Sequence, residues 1–273
     1  MQMIRHVIIC SLLIIISIIS FAQTKDTIIL DEIIINSSRT ELSERQMLRP
    51  IQIIDKRHIE VSHENDICAL LKNTSAIDIR QRSFSTVQSD LSIRGGSFDQ
   101  SVVLLNGINL SDAQTGHYSL NLPLNLSDIA SVEVLYGPAS RIFGANALTG
   151  AVNFITNIPE KNAVNLDLSY GSFNTINAGA AVDLMCKVFK HSLSLAYSRS
   201  NGFMRNTDYY RTNLYYENNF TIGSLKAKTM LGLADKEFGA YSFYTPMYAD
   251  QYEKIKTGFV AFKLAGGTNF KWD

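Results

Sequence analysis

The chain has 273 residues, of which 25 are Lys or Arg and 25 are Asp or Glu. This balance leaves no global basic field, so the composition argues against a nucleic-acid-binding protein. Charged residues are 18% and aromatic residues 10% of the chain, which fits a membrane β-protein or a soluble β-rich protein and does not separate the two.

The N-terminus has the three-part pattern of a secretory signal. Arg5 and His6 precede an apolar run over 7–21, and small residues Ser20 and Ala22 flank Phe21. We predict a signal peptide over 1–22, cleaved after Ala22, and an exported protein. The alternative is a membrane anchor, which is disfavoured because the run is shorter than the ~20 residues of a spanning helix.

Three cysteines are present. Cys10 leaves with the signal, and neither Cys68 nor Cys186 lies in a C-x-x-C motif or in a Cys/His cluster with metal-ligand spacing. Export leaves a disulfide between Cys68 and Cys186 as an open alternative, although the two lie in different kinds of segment.

A strand-like peptide follows the signal. The sequence DEIIINSSR (31–39) contains three consecutive β-branched residues, Ile33 to Ile35, which favour an extended backbone. Residues 39–49 are polar and are typical of a linker. From pattern alone, an ordinary edge strand of the first domain is the preferred interpretation of the isoleucine run.

A region with mixed α and β signals spans 50–157. The predicted strands are 51–55, 75–80, 91–94 and the VVLL–INL hairpin around Asn106-Gly107. A helix is predicted over 62–73. The stretch LSDIASVEVL (126–135) is helix-like at its start, with Ser127 as cap and Asp128 in the first turn, and VEVLY favours a strand.

Beyond Pro159 the sequence alternates between apolar and polar residues. The clearest strands are 163–171, 175–184 and 191–199, and weaker ones cover 210–220, 222–234 and 258–264. A soluble sandwich and a transmembrane barrel both produce such patterns, and export with strands near ~10 residues favours the barrel.

Three motifs in order resemble those of TonB-dependent outer-membrane receptors. DEIIINSSR resembles a TonB box, IRGGSFDQSVVLLNGI (93–108) the core of the plug domain, and VEVLYGPASRIFGANALTGAVNFIT (132–156) the closing plug motif. The resemblance implies an α+β plug domain over 50–157, followed by antiparallel transmembrane β-barrel strands over 158–273, with 23–49 as TonB box and linker.

The family forms a 22-stranded barrel filled by the plug. Residues 158–273 have room for about six strands of ~10 residues, so we expect an incomplete barrel and a chain that corresponds to the N-terminal part of a receptor. The short distance from the predicted cleavage site to residue 31 favours the siderophore and cobalamin branch over glycan importers.

The resemblance also implies site residues. It implies that the periplasmic TonB protein binds one segment, which consists of Asp31, Glu32, Ile33, Ile34, Ile35, Asn36 and Ser37. It also implies that Arg94 and Arg141 of the plug contact the barrel wall. From pattern alone, both would be solvated surface groups. Tyr136 stands where many members have Arg, so the sequence departs from the family's pattern at this one position.

Two polar plug loops, 83–89 and 112–119, are expected to face outward and contact the ligand. Their candidate binding residues are Phe84, Gln114, Thr115, His117 and Tyr118. His117 alone in such a loop is more often a surface residue than a metal ligand, and the sequence predicts no metal site.

The predicted function is active import of a scarce bulky nutrient, an iron-siderophore, haem or cobalamin, across a Gram-negative outer membrane. The expected partners are TonB, a metal-chelate or corrinoid-type ligand and outer-membrane lipids, without nucleic acid. The alternative is a non-transporting remnant that only binds ligand or TonB. No catalytic motif, paired carboxylates or resident cofactor is predicted, which argues against an enzyme.

Overall fold

The computed structural model describes residues 50–62, 64, 66–82, 87–112 and 115–266, together with two backbone strands before them. Those strands, β1 (Ile34–Ile35) and β2 (Leu42–Ser43), pair antiparallel. The extended backbone expected for the isoleucine run is therefore confirmed at Ile34–Ile35, and the predicted linker contains a short strand. The predicted signal peptide, Phe84 and Gln114 lie outside the described residues.

The first part of the described chain is an α/β domain. Its strands and helices, in chain order, are β3 (Ile51–Asp55), α1 (Lys56–Val61), α2 (Ile67–Lys72), β4 (Ile77–Gln81), β5 (Ser89–Ile93), β6 (Ser101–Leu105), β7 (Ile108–Asn109), β8 (Ile129–Tyr136), α3 (Ser140–Phe143) and β9 (Gly150–Thr156).

Five of these strands form one mixed sheet in the order β3-β8-β9-β6-β7, in which β6 and β9 are parallel. Strands β4 and β5 form a separate antiparallel pair. The central strands are nearly continuous apolar runs because both faces of the sheet are covered. Residues 102–105 of β6 are fully buried; Val103 and Leu105 pack towards α2 and β5, and Val102 and Leu104 pack on the opposite face with Ala139 and Ala147.

The hairpin between β6 and β7 confirms the turn predicted at Asn106-Gly107. Both residues have positive φ angles, 51° and 83°, as a two-residue type I′ turn requires. The amide hydrogen of Gly107 donates to Asn153 Oδ1 at 2.9 Å, so the turn is tied to the neighbouring strand β9.

The second part is a six-stranded antiparallel sheet in which every strand pairs with the next along the chain. Its strands are β10 (Ala163–Gly171), β11 (Thr175–Cys186), β12 (Phe189–Ser200), β13 (Tyr209–Ile222), β14 (Leu225–Tyr241) and β15 (Asp250–Ala265). All six alternating segments of the sequence are strands, and the three weaker ones are longer than their patterns indicate.

The two ends of this sheet differ in their connections. At one end, the short-turn end, residues 187–188 and 223–224 join neighbouring strands. At the other, the long-loop end, residues 172–174, 201–208 and 242–249 make the connections. Short turns on one side and longer loops on the other are typical of outer-membrane β-strands.

The two faces of the sheet have opposite polarity. The face that packs on the α/β domain carries buried polar side chains such as Ser194, Asn213 and Glu217. The other face exposes large apolar side chains, with Leu166 and Leu168 at 79% and 80% exposure. A soluble sandwich would bury its apolar face, so the sandwich alternative does not describe this sheet.

Three local expectations need correction. Helix α2 begins at Ile67 rather than near residue 62 because Asp66 caps it, accepting from the Ala69 amide at 2.8 Å. The helix α1 was not predicted. The helix-like stretch at 126–131 is a short 3₁₀ turn over Leu126–Asp128 capped by Asn125, followed directly by β8, because Val132 and Val134 pair with β9.

Both described cysteines are free, Cys68 buried and Cys186 exposed, so the alternative of a disulfide between them is wrong. Burial raises the pKa of the Cys68 thiol to about 11. None of the helices in the described part of the chain has the length and apolar character needed to cross a bilayer.

Gly150, the first residue of β9, offers a test of the packing between the central strands. A Cβ there would lie 2.3 Å from the Leu135 carbonyl oxygen, a backbone atom that cannot move without disturbing the sheet. We expect Gly150→Ala to lower the free energy of unfolding by about 1–3 kcal/mol, measured by urea denaturation. Gly171→Ala is the matched control, because its Cβ would meet nothing closer than 3.9 Å; equal losses in both variants would contradict the packing argument.

Candidate functional site

A buried carboxylate joins the α/β domain to the six-stranded sheet. Glu217 of β13 is 0% exposed, and its Oε2 accepts from the Thr156 hydroxyl at 2.5 Å and from the Tyr215 hydroxyl at 2.6 Å. Its Oε1 accepts from Lys228 at 2.8 Å and from Asn219 at 2.6 Å. A charge this deeply buried is tolerated only when it is paired and hydrogen-bonded.

The Asn106-Gly107 turn is part of the same network. The Asn106 amide nitrogen donates to Thr156 Oγ1 at 2.9 Å, and its oxygen accepts from the Thr156 backbone at 3.2 Å. The turn predicted as a local feature is therefore held at the inner face of the sheet. Neither its position there nor its partner Glu217 could be derived from the local pattern.

Asp128 makes a second contact between the two parts. Its Oδ2 accepts from the backbone N–H of Asn125 and from the Ser194 hydroxyl of β12, both at 2.8 Å. Burial raises the pKa of this carboxyl to about 6, although both hydrogen bonds act in the opposite direction. The residue expected in the first turn of a helix lies instead at a domain contact.

At the long-loop end, a polar cluster links the α/β domain to β15 and the loop before it. The hydroxyls of Tyr118 and Tyr244 both donate to Glu253. Arg82 donates to the Phe243 carbonyl at 2.5 Å and lies 6.0 Å from the Tyr244 ring centroid. Burial, followed by the hydrogen bond to Glu253, raises the pKa of Tyr118, so it acts as a neutral donor.

His117 lies beside this cluster. Its Nδ1 donates to Asp90 Oδ1 at 2.7 Å, and its ring centroid is 4.0 Å from that of Phe98. The Thr115 hydroxyl accepts from the His117 amide at 3.3 Å. The structure thus brings Thr115, His117 and Tyr118 together at the long-loop end, with His117 partly buried rather than free on the surface.

Four residues in and beside this cluster, Arg82, Asp90, Tyr244 and Glu253, were not predicted from the sequence. Arg82 and Asp90 border the predicted loop 83–89, so proximity to that loop was an available signal. Glu253 lies 135 residues from Tyr118, and no local pattern distinguishes it from other charged strand residues.

The two predicted wall arginines are in different settings. The Arg94 guanidinium lies 4.9 Å from the Tyr136 ring centroid, within the α/β domain, and Arg141 is exposed on α3. Tyr136, which stands where many family members have Arg, is buried, and its hydroxyl donates to the Ser75 carbonyl at 2.5 Å. The tyrosine at this position therefore makes a hydrogen bond within the α/β domain. Contacts from Arg94 and Arg141 to a wall stay predictions.

A cavity of about 300 Å³ lies between the α/β domain and strands β10, β12, β13 and β14. Its lining includes carboxyl groups, among them those of Asp66 and Asp167, and the basic side chains of Arg211 and Lys236. Lys236 donates to the Val87 carbonyl at 3.0 Å. The described residues include no group of three or more His, Cys, Asp or Glu side chains placed to hold a metal ion.

Comparison with known proteins identifies the α/β domain. The family described as TonB-dependent Receptor Plug Domain matches residues 43–151. The chain contains a TonB-dependent receptor plug domain. The α/β domain is therefore a plug domain, and the residues that carry the match include the Asn106-Gly107 turn and the strand β8.

Two relatives of this chain carry the name vitamin B12 transporter BtuB. That of Vibrio vulnificus is 24% identical over 271 residues, which is 93% of this chain and 42% of the relative. That of Vibrio cholerae is 27% identical over 139 residues, 50% of this chain and 22% of the relative. The chain spans less than half the length of these relatives.

Solved structures of receptors share the fold. The ferripyoverdine receptor of the Pseudomonas aeruginosa outer membrane, bound to ferripyoverdine, aligns with a TM-score of 0.70 at 16% identity, covering 85% of this chain and 34% of the receptor. The ferric yersiniabactin uptake receptor FyuA of Yersinia pestis aligns with a TM-score of 0.65 at 14% identity, covering 81% of this chain and 39% of the receptor. The six-stranded sheet therefore matches receptor barrel strands, and over the described residues it does not close.

The raised pKa of Asp128 makes a pH-dependent prediction. Because the folded-state pKa lies above the ordinary value, the native state favours the protonated carboxyl, and this stabilisation is lost as pH rises from about 4 through 6. As pH rises from about 4 to 6, the free energy of unfolding of Asp128→Asn should therefore increase by up to about 3 kcal/mol relative to that of wild type. Urea unfolding of both proteins as a function of pH measures the difference; a difference independent of pH would contradict the assignment.

Proposed function

We propose that this chain is part of an outer-membrane receptor that imports a scarce, bulky nutrient with energy delivered by TonB. The observation that carries the proposal is a plug domain seated, through the Glu217 network, on the polar face of strands whose other face exposes leucines. Such a sheet suits a wall with lipid outside and plug inside. Export through a signal peptide over 1–22 and contact with outer-membrane lipids belong to the proposal.

The proposed nutrient class is a metal chelate or corrinoid: an iron-siderophore, haem or cobalamin. The names of the relatives support this class, since they include a vitamin B12 transporter and siderophore receptors.

The proposed ligand site lies at the long-loop end of the plug and consists of Thr115, His117 and Tyr118, joined by Phe84 and Gln114. The imidazole of His117 and the phenol of Tyr118 offer hydrogen-bonding groups on aromatic bodies, which suits a large, partly apolar ligand. Arg82 and Glu253 supply charged neighbours for the same site.

The proposed energy coupling uses the segment Asp31–Ser37. Ile34 and Ile35 have strand backbone, and an extended segment can add to the edge of a partner sheet through main-chain hydrogen bonds. We propose TonB as that partner, and Arg94 and Arg141 as plug residues that contact the wall of the full barrel.

Deletion of Asp31–Ser37 from the full-length receptor should abolish uptake while leaving ligand binding unchanged, because only the energy-coupling contact is removed. Radiolabelled uptake and equilibrium binding in whole cells measure the two activities separately. Two single substitutions test the main-chain contact more specifically. Ile34→Pro removes one strand hydrogen-bond donor and should reduce uptake, whereas Ile34→Val keeps the donor and should transport normally. Loss of binding after the deletion would mean that the segment is structural.

His117→Ala should weaken nutrient binding to the full-length receptor about tenfold, the usual effect of losing one hydrogen-bonding group in a buried site. Binding of ferric siderophore, haem and cobalamin, each measured as a dissociation constant, provides the test. His58→Ala is the matched control, since His58 is an exposed residue of helix α1 in the same plug domain. Unchanged constants for every ligand that binds would remove His117 from the proposed site.

A further inference from the structure

A second cavity lies at the short-turn end of the sheet, away from the proposed nutrient site. Its volume is about 390 Å³, and it opens between the end of β9 and strands β12 to β15. We call it the lysine cavity, because four lysines line it: Lys190, Lys226, Lys228 and Lys263. No carboxylate is among its described lining residues.

The lysines converge because of strand register. Lys228 and Lys263 are directly paired across β14 and β15. Lys226 is two residues before Lys228 and so points to the same face, and Lys190 is paired with Asn219 on β13. Asn219 and Lys228 both contact Glu217, which places this set on the inner face.

Charge neutralisation within the cluster is incomplete. The Glu217 carboxylate pairs with Lys228 and also accepts from three neutral donors. Among the described residues, Lys190 and Lys226 form no ion pair. Gathered ammonium groups repel one another, and a cavity with low-dielectric walls focuses their field, so an anion that enters is attracted by several charges at once.

The rest of the lining indicates what kind of anion fits. The Asn219 amide and the Thr221 hydroxyl add neutral donors, and Ile158 and Phe220 add apolar surface. We propose that the lysine cavity is a binding site for a small anion that carries phosphate or carboxylate groups. The site stands on the geometry of the described chain and is independent of the proposed import function.

Isothermal titration of the full chain, refolded in detergent, tests the proposal with two probes, pyrophosphate for phosphate groups and citrate for carboxylates. Wild type should bind at least one of them, with an affinity that falls as sodium chloride is raised. Lys226→Gln should weaken that binding about tenfold, whereas Lys226→Arg should retain it. Lys226 is exposed, so neither change disturbs packing.

The matched control is Lys161→Gln. Lys161 is exposed near the start of β10, at the same end of the sheet, and is not part of the cavity lining. Its substitution removes the same charge from the chain and should leave the dissociation constant unchanged. Absence of binding by wild type at millimolar concentrations, or equal weakening by Lys226→Gln and Lys161→Gln, would overturn the proposal. Either result would leave uptake and nutrient binding by the receptor untouched.

Discussion

The buried carboxylate of Glu217 is the interaction on which the arrangement of plug and wall depends. A charge withdrawn from water is strongly destabilising unless donors surround it, and removing one partner of such a group typically costs about 3–5 kcal/mol. Glu217 has four donors, three from its own sheet and one from Thr156 at the end of β9. Because Thr156 also holds Asn106, this group fixes both the last strand of the plug and the turn beside it.

The same constraint explains the inverted polarity of the six-stranded sheet. If the plug presents polar groups such as Thr156 and Asp128, the facing strands must supply partners, and they do so through Glu217 and Ser194. Side chains at the alternate strand positions point away from the plug, and many of them are leucine and valine exposed at the outer face. A low charged fraction of 18% follows from a sheet whose outer face is apolar along most of its strands.

Features encoded locally were predictable, and those that depend on distant partners were not. Asn106-Gly107 specifies its own turn through positive φ angles, and strict alternation specifies β10 to β12. Asp128 was misassigned because a polar residue before an apolar run resembles a helix start; its position is decided by Ser194, 66 residues away. His117 and Tyr118 were identified as candidates from the plug loops that the family resemblance implies and from their side-chain chemistry. Their pairing with Asp90 of β5 and Glu253 of β15 becomes visible only in three dimensions.

The contacts at the long-loop end impose a condition on the proposed ligand binding. Tyr118 and Tyr244 already donate to Glu253, and His117 already donates to Asp90. A hydrogen bond to a charged group contributes about 1.5–3 kcal/mol, so a ligand that takes over one of these side chains must replace a contact of that size. Since Tyr118 belongs to the plug and Glu253 to the wall, such an exchange would loosen the plug at this end while the Glu217 network still holds it at the other. Ligand occupancy would thereby be coupled to plug–wall contact through a named pair of side chains.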